Sequence, residues 1–130
     1  MRKQAGFTFI EVLVVTAIMG ILALIALPQY STYRERAYNS AALADLKVLA
    51  VAQEKFFEKN SAYKAIEHCN TVDAGARCAV DGLPGLNALS KGVSVGVTTS
   101  QNGFVAVAKH IKGSKTCTWD STKGGSLGCS

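Results

Sequence analysis

This chain predicts an α+β architecture in which one long N-terminal helix, half apolar anchor and half amphipathic, packs on an antiparallel sheet of three or four strands. Three observations carry that reading. The 22 residues from Val12 to Tyr33 contain no charge, which is a membrane-length run. The apolar pattern after it becomes one-sided with helical period. Residues 92–119 then alternate apolar with small and polar residues between turn signals, as half-buried strands do. A chain of 130 residues holds at most one compact domain, which excludes multidomain enzyme architectures.

The first element opens with MRKQAG and continues into FTFIEVLVVTAIMGILALIALP. A short basic flank before an apolar stretch suits both a cleaved secretory signal and a retained anchor. The apolar core runs to Leu27 and is followed by Pro28 and Gln29, a poor context for ordinary signal cleavage, so the segment is expected to stay on the chain. Lys and Arg flank it on both sides, and the charge rule leans only slightly toward a cytoplasmic N-terminus. No Gly or Pro cluster interrupts the chain until about residue 60, so one helix from Phe7 to about Asn60 is expected, roughly 80 Å long. Gly20 and Pro28 are its weak points, where the backbone loosens without having to end.

Beyond Pro28, Tyr38, Ala42, Leu43, Leu46, Leu49, Ala50, Phe56 and Phe57 fall on one arc of the helix. Arg34, Arg36, Lys47, Glu54, Lys55, Glu58 and Lys59 fall on the other. This half docks on a soluble core, and the apolar half is expected to project from it. Residues 61–91 read as an irregular loop punctuated by Gly75, Gly82, Pro84 and Gly85. A meander over 92–119 follows, with strands at Gly92–Thr99, Phe104–Lys109 and Lys115–Trp119. Residues 120–130 read as a Gly/Ser-rich C-terminal loop.

Glu11 is the residue that composition does not explain. A carboxylate inside an apolar helix costs at least a few kcal/mol at membrane depth unless it is paired or reaches the interface. Two accounts stay open. Glu11 lies in the first turns of the helix, where the dipole favours negative charge. Alternatively, a cut between Gly6 and Phe7 creates an α-ammonium that neutralises Glu11 of an adjacent subunit when anchors pack together.

The run from Gly6 through Glu11 to Pro28 closely resembles the N-terminus of type IV pilins. The resemblance implies cleavage by a prepilin peptidase after Gly6, making residues 1–6 a leader, and N-methylation of Phe7. It implies that Phe7 and Glu11 register subunits in the filament, and that the helix-breaking Pro28 unwinds its surroundings on assembly. It divides the chain into the leader, a membrane and filament-core helix over 7–30, and a head over 31–130 with a C-terminal loop closed by Cys117 and Cys129. It further implies a homopolymer with a structural and not an enzymatic role, no cofactor, and the membrane assembly machinery as partner. The precursor would sit in the inner membrane and the product in an extracellular pilus serving adhesion, motility or DNA uptake. Physically, lipid covers the anchor before assembly and neighbouring anchors cover it afterwards; Ala17, Gly20, Ala23 and Ala26 permit close approach.

Four cysteines permit three pairings. The local one, Cys69 with Cys78 and Cys117 with Cys129, is the expectation adopted, because both pairs bracket loop-like sequence. A zinc reading of His68, Cys69 and Cys78 lacks the tight Cys spacing of such sites. His68 beside Cys69 is no catalytic dyad, because consecutive side chains rarely face each other. His110 is expected on the surface. Tyr30 and Tyr33 suit a membrane edge, and the other aromatics a belt or core. Lys109, Lys112, Lys115 and Lys123 concentrate positive charge near the C-terminus and could attract nucleic acid or an anionic surface. The rival readings are a minor pilin, a pseudopilin of type II secretion, and a pilus-associated DNA- or surface-binding module.

Overall fold

The computed structural model describes residues 6–130; the expected leader apart from Gly6 lies outside the described residues. The chain forms two compact units, one ending at Arg34 and the other running from Glu35 to Ser130. Helix α1 (Phe9–Asn60) contributes to both. It carries Gly20 and Pro28 without interruption, so neither ends the helix. Pro28 lacks the N–H that would bond the Leu24 carbonyl, which removes a single rung. The Ser31 and Thr32 hydroxyls donate to the Pro28 carbonyl at 2.9 and 3.4 Å. The helix stops where Ser61 takes a positive φ of 52° and its N–H bonds the Phe57 carbonyl.

In the second unit, Ala42, Leu46, Leu49, Ala50 and Ala52 form the buried face of α1. They meet one face of an antiparallel sheet ordered β1 (Ile66–Cys69), β4 (Val93–Ser100), β5 (Gly103–His110), β6 (Thr116–Asp120) and β7 (Ser126–Cys129). The register places Val95 opposite Ala108 and Val97 opposite Ala106 on β4 and β5, with Ala108 opposite Cys117 on β6. These side chains are buried together with Phe104. Small alanines in the middle of β5 let the helix approach, while Phe104 fills one end against Tyr63 at 4.9 Å. The outer face carries Ser94, Gly96 and Thr98, then Val107 and Lys109, then Thr116 and Thr118.

The three strands of the meander stand where the alternation places them. The sheet has five strands, however, because two four-residue strands extend it: β1 from the expected loop and β7 from the expected C-terminal tail. Within 61–91 there is also a hairpin of β2 (Ala79–Leu83) and β3 (Leu86–Ala88). Its turn is Pro84-Gly85, with Gly85 at φ +79°, the conformation a type II turn requires at that position. Val80, Leu83 and Leu86 from this hairpin join the core, so the segment is a lid of the core and not an irregular loop. Residues 120–130 likewise form a 3₁₀ turn (Ser121–Lys123) and β7. The Asp120 carboxylate accepts from Thr122 N–H and opens that turn.

Both disulfides follow the local pairing. Cys69–Cys78 staples the loop between β1 and β2, and Cys117–Cys129 joins directly opposed residues of β6 and β7.

Gln53 is fully buried on α1. Its side-chain amide donates to the Lys64 carbonyl at 2.7 Å and accepts from the Lys64 N–H at 2.9 Å. The chain leaving α1 is thereby fastened back to the helix. Gln53→Leu keeps the volume but strands both Lys64 backbone groups, and is expected to destabilise the head by about 1–3 kcal/mol. A urea titration checks this: the midpoint falls while the slope holds.

Candidate functional site

The first unit consists of helix and little else. Every large apolar side chain from Phe7 to Leu27 is exposed, and Phe7 and Phe9 keep more than four-fifths of their surface. A helix that is apolar on all sides is either buried or in lipid. Covering such side chains is worth about 1.5–3 kcal/mol each, so the segment as a whole calls for a cover worth tens of kcal/mol. At Gly20 an added Cβ would meet nothing within 4 Å, which leaves bare backbone facing outward.

The amino-terminal end of this helix is built from Thr8 and Glu11. Glu11 Oε2 accepts from both the backbone N–H and the hydroxyl of Thr8, each at 2.8 Å. Glu11 N–H in turn reaches Thr8 Oγ1 at 3.4 Å. This is the reciprocal capping box, written in the sequence as Thr-Phe-Ile-Glu. The carboxylate of the separate chain therefore has partners in its own first turn. That matches the account in which helix-end chemistry holds the charge, and it supplies donors that the dipole argument alone did not name. Phe7, at the proposed new terminus, precedes the capping residue directly. Glu11 thus lies one helical turn from the position where an α-ammonium would form.

At the membrane-side edge of the uncharged run, Arg34 lies over the Tyr30 ring at 5.7 Å, an amphipathic pairing suited to an interface. In the head, Tyr63 packs tilted against buried Phe104 at 4.9 Å, and the exposed Phe57 ring stacks on Tyr63 at 4.6 Å, so the aromatic cluster runs from the core to the surface.

The four C-terminal lysines separate into two groups. Lys109 is on the outer face of β5 opposite Thr116, and Lys112 and Lys115 occupy the turn between β5 and β6. Lys123 follows β6 at its other end, about 13 Å along the strand, and pairs with Asp120 at 3.4 Å. Hydrogen bonds from Thr122, foremost its hydroxyl, hold the Asp120 carboxyl below its ordinary value. The basic surface is thus Lys109, Lys112 and Lys115, with Lys123 apart.

His68 is exposed and lies across the sheet at Gly96, where an added Cβ would stand 2.8 Å from Nδ1. With all four cysteines in disulfides, the thiolates that the zinc reading needs are absent. His110 departs from expectation: it is 4% exposed and not a surface residue. It continues the inward parity of Phe104, Ala106 and Ala108 and is paired with buried Val93. That parity was the signal in the sequence that could have placed it.

Residues 1–27 match the family model of the prokaryotic N-terminal methylation motif. Over 124 residues the chain is 33% identical to the fimbrial protein of Neisseria meningitidis serogroup B, covering 95% of this chain and 70% of that one. Over the same span it is 32% identical to a type IV major pilin protein PilE1 of Neisseria gonorrhoeae, covering 73% of it. It is also 43% identical over 61 residues to the type IV major pilin protein PilA of Myxococcus xanthus, which is 47% of this chain and 28% of that one.

Proposed function

Because this chain belongs to the type IV pilin family, we propose that its N-terminal helix serves in turn as membrane anchor and as filament core, with Glu11 as the residue that registers one copy on the next. The chain is a structural subunit and not an enzyme, anchored in the membrane as precursor and carried on the surface in the pilus. The observation behind the proposed exchange is the wholly uncovered apolar surface from Phe7 to Leu27. In lipid that surface is solvated; outside it, only other apolar helices can cover it without a large hydration cost. Ala17, Gly20, Ala23 and Ala26 would let those helices approach closely. Glu11, the only acid in the segment, then leaves water along with its helix. A second copy's α-ammonium at Phe7 offers a counter-charge beyond the two Thr8 donors. At Pro28 the missing rung is where the helix would loosen on assembly.

Cleavage after Gly6 by a prepilin peptidase and methylation at Phe7 complete this reading. N-terminal sequencing with intact mass tests it: the filament subunit should begin at Phe7 and carry one extra methyl group. A mature chain that retains Met1 to Gly6 would overturn it. Copy number along isolated filaments separates a major subunit from a minor pilin or pseudopilin; a major subunit accounts for most of the filament mass.

An anionic partner, nucleic acid included, would meet Lys109, Lys112 and Lys115 at one end of the sheet. Converting those three to Gln should lower DNA binding and flatten its salt dependence by about two to three counterions. Lys123→Gln should leave both unchanged, and equal effects from the two variants would remove the assignment.

A further inference from the structure

His110 is the one histidine the head encloses, and its contacts tie β5 to three other pieces of chain. From α1, the Tyr38 ring stacks on it at 4.4 Å with planes 19° apart. From the turn after β5, the Lys112 N–H donates to Nδ1 at 3.0 Å. From the turn before β4, the Lys91 backbone favours the charged form of the ring. Gly92, at φ +77°, has no room for a side chain: an added Cβ would lie 2.8 Å from Nε2 and 3.3 Å from the Ala74 Cα. With Nδ1 accepting from the Lys112 N–H, the neutral imidazole carries its proton on Nε2.

The turn that His110 holds, residues 111–115, has two further fastenings to α1. Asn39 Oδ1 accepts from Lys115 N–H at 3.1 Å, and Asn39 Nδ2 donates to Ser114 Oγ at 3.3 Å. The Ile111 N–H also bonds the Gly92 carbonyl at 2.8 Å. This is the turn that carries Lys112 and Lys115.

We propose that His110 is an acid-operated latch for the turn between β5 and β6. At neutral pH its bare Nδ1 holds Lys112 N–H and the turn lies against α1; a proton on Nδ1 sets two donors face to face and releases residues 111–115 with their lysines. The charged groups around the ring decide how readily this happens. On α1, Asp45 favours the imidazolium, but its carboxylate is already committed to Ser90 N–H and Oγ at 2.7 and 2.9 Å. The Tyr38 face favours a cation as well. Against protonation stand burial of the ring and the Lys112 ammonium, and these hold the imidazole below its ordinary value. The latch therefore stays shut at neutral pH. As pH falls through about 6.5 the unfolded chain takes up a proton that the folded chain refuses, so the head loses stability toward acid.

The test uses the full chain in detergent micelles, followed by NMR from about pH 7.5 to about pH 5. One readout is the His110 ring nitrogens; the other is the exchange protection of the Lys112 amide. The Phe104 amide, bonded to Ser121 Oγ at the opposite end of β5, serves as reference. The expected result is that His110 titrates within this range from the Nε2–H tautomer and that Lys112 loses at least about tenfold in protection as it does, while Phe104 holds. An imidazole that stays neutral throughout, or a Lys112 amide that stays protected while His110 titrates, overturns the proposal. In His110→Gln the pH step at Lys112 should vanish, and a step that persists there overturns it too. Should that variant not fold, the two native readouts decide alone.

Discussion

Cells expressing Glu11→Ala as their sole copy are expected to assemble almost no filaments, whereas Thr8→Ala should leave them largely intact. The capping box makes the comparison informative, because each variant breaks the bond between the Thr8 hydroxyl and the Glu11 carboxylate together with one of the two backbone caps. Losing the cap costs about 1 kcal/mol in either variant, a small fraction of what covering the anchor is worth. In the proposed registration, only the Glu11 change also leaves a neighbour's α-ammonium buried without its counter-charge, at about 3–5 kcal/mol for each subunit added. Repeated at every addition, a penalty of that size stops growth of a polymer. Filament yield sheared from cells, normalised to membrane-held subunit, is the measurement. Filaments retained equally in both variants would show that Glu11 is merely a helix cap. Filaments lost in both would shift the assembly role to the shape of the first turn.

The second large effect concerns the C-terminal bridge. Replacing Cys117 and Cys129 together by Ser is expected to lower head stability by about 3 kcal/mol through chain entropy, since the bridge spans 12 residues. The structural consequence is specific to this pair. Strand β7 pairs with β6 alone and contributes no fully buried side chain, so the bridge and one ladder are what hold it. Cys117 itself is fully buried, and a hydroxyl there would be left among apolar neighbours. Denaturant unfolding should show the loss, and exchange of the Thr118 amide, within the β6 ladder, should quicken ahead of the amides of β4. A β7 ladder that survives in the variant with a stability change under about 1 kcal/mol would contradict this account.

Much of the molecule was legible before any coordinates. An uncharged run followed by a one-sided 3.6-residue pattern is a strong, long-range signal, and α1 ends at Asn60 as expected. The Val93, Val95 and Val97 alternation, the Gln101-Asn102 turn and the Phe104 to Lys109 run place β4 and β5 because each has several residues of period-two contrast. The capping box of Thr8 and Glu11 is equally local, since Thr-Phe-Ile-Glu places the two side chains one turn apart.

Short elements were harder. Strand β1 reads Ile-Glu-His-Cys and β7 reads Ser-Leu-Gly-Cys; four residues hold too few turns of the pattern to stand above loop composition. They are strands because β4 and β6 offer them hydrogen-bonding edges, and edges belong to neighbours. The Pro84-Gly85 turn carried a hairpin signature, yet the arms on either side are too short to confirm it from within.

The order of residues by itself determined the anchor, the docking face of α1, the central strands and the resources for a cap and two disulfides, since each rests on interactions within a few residues or on one periodic face. Only the tertiary structure decided that Gln53 clamps Lys64, that His110 is enclosed by Tyr38, Lys91 and Lys112, and that Lys123 stands away from the other lysines. The reason is physical: a polar side chain goes inside only where a distant piece of backbone supplies its missing donor or acceptor, and that partner is brought near by the fold and not by the sequence around it.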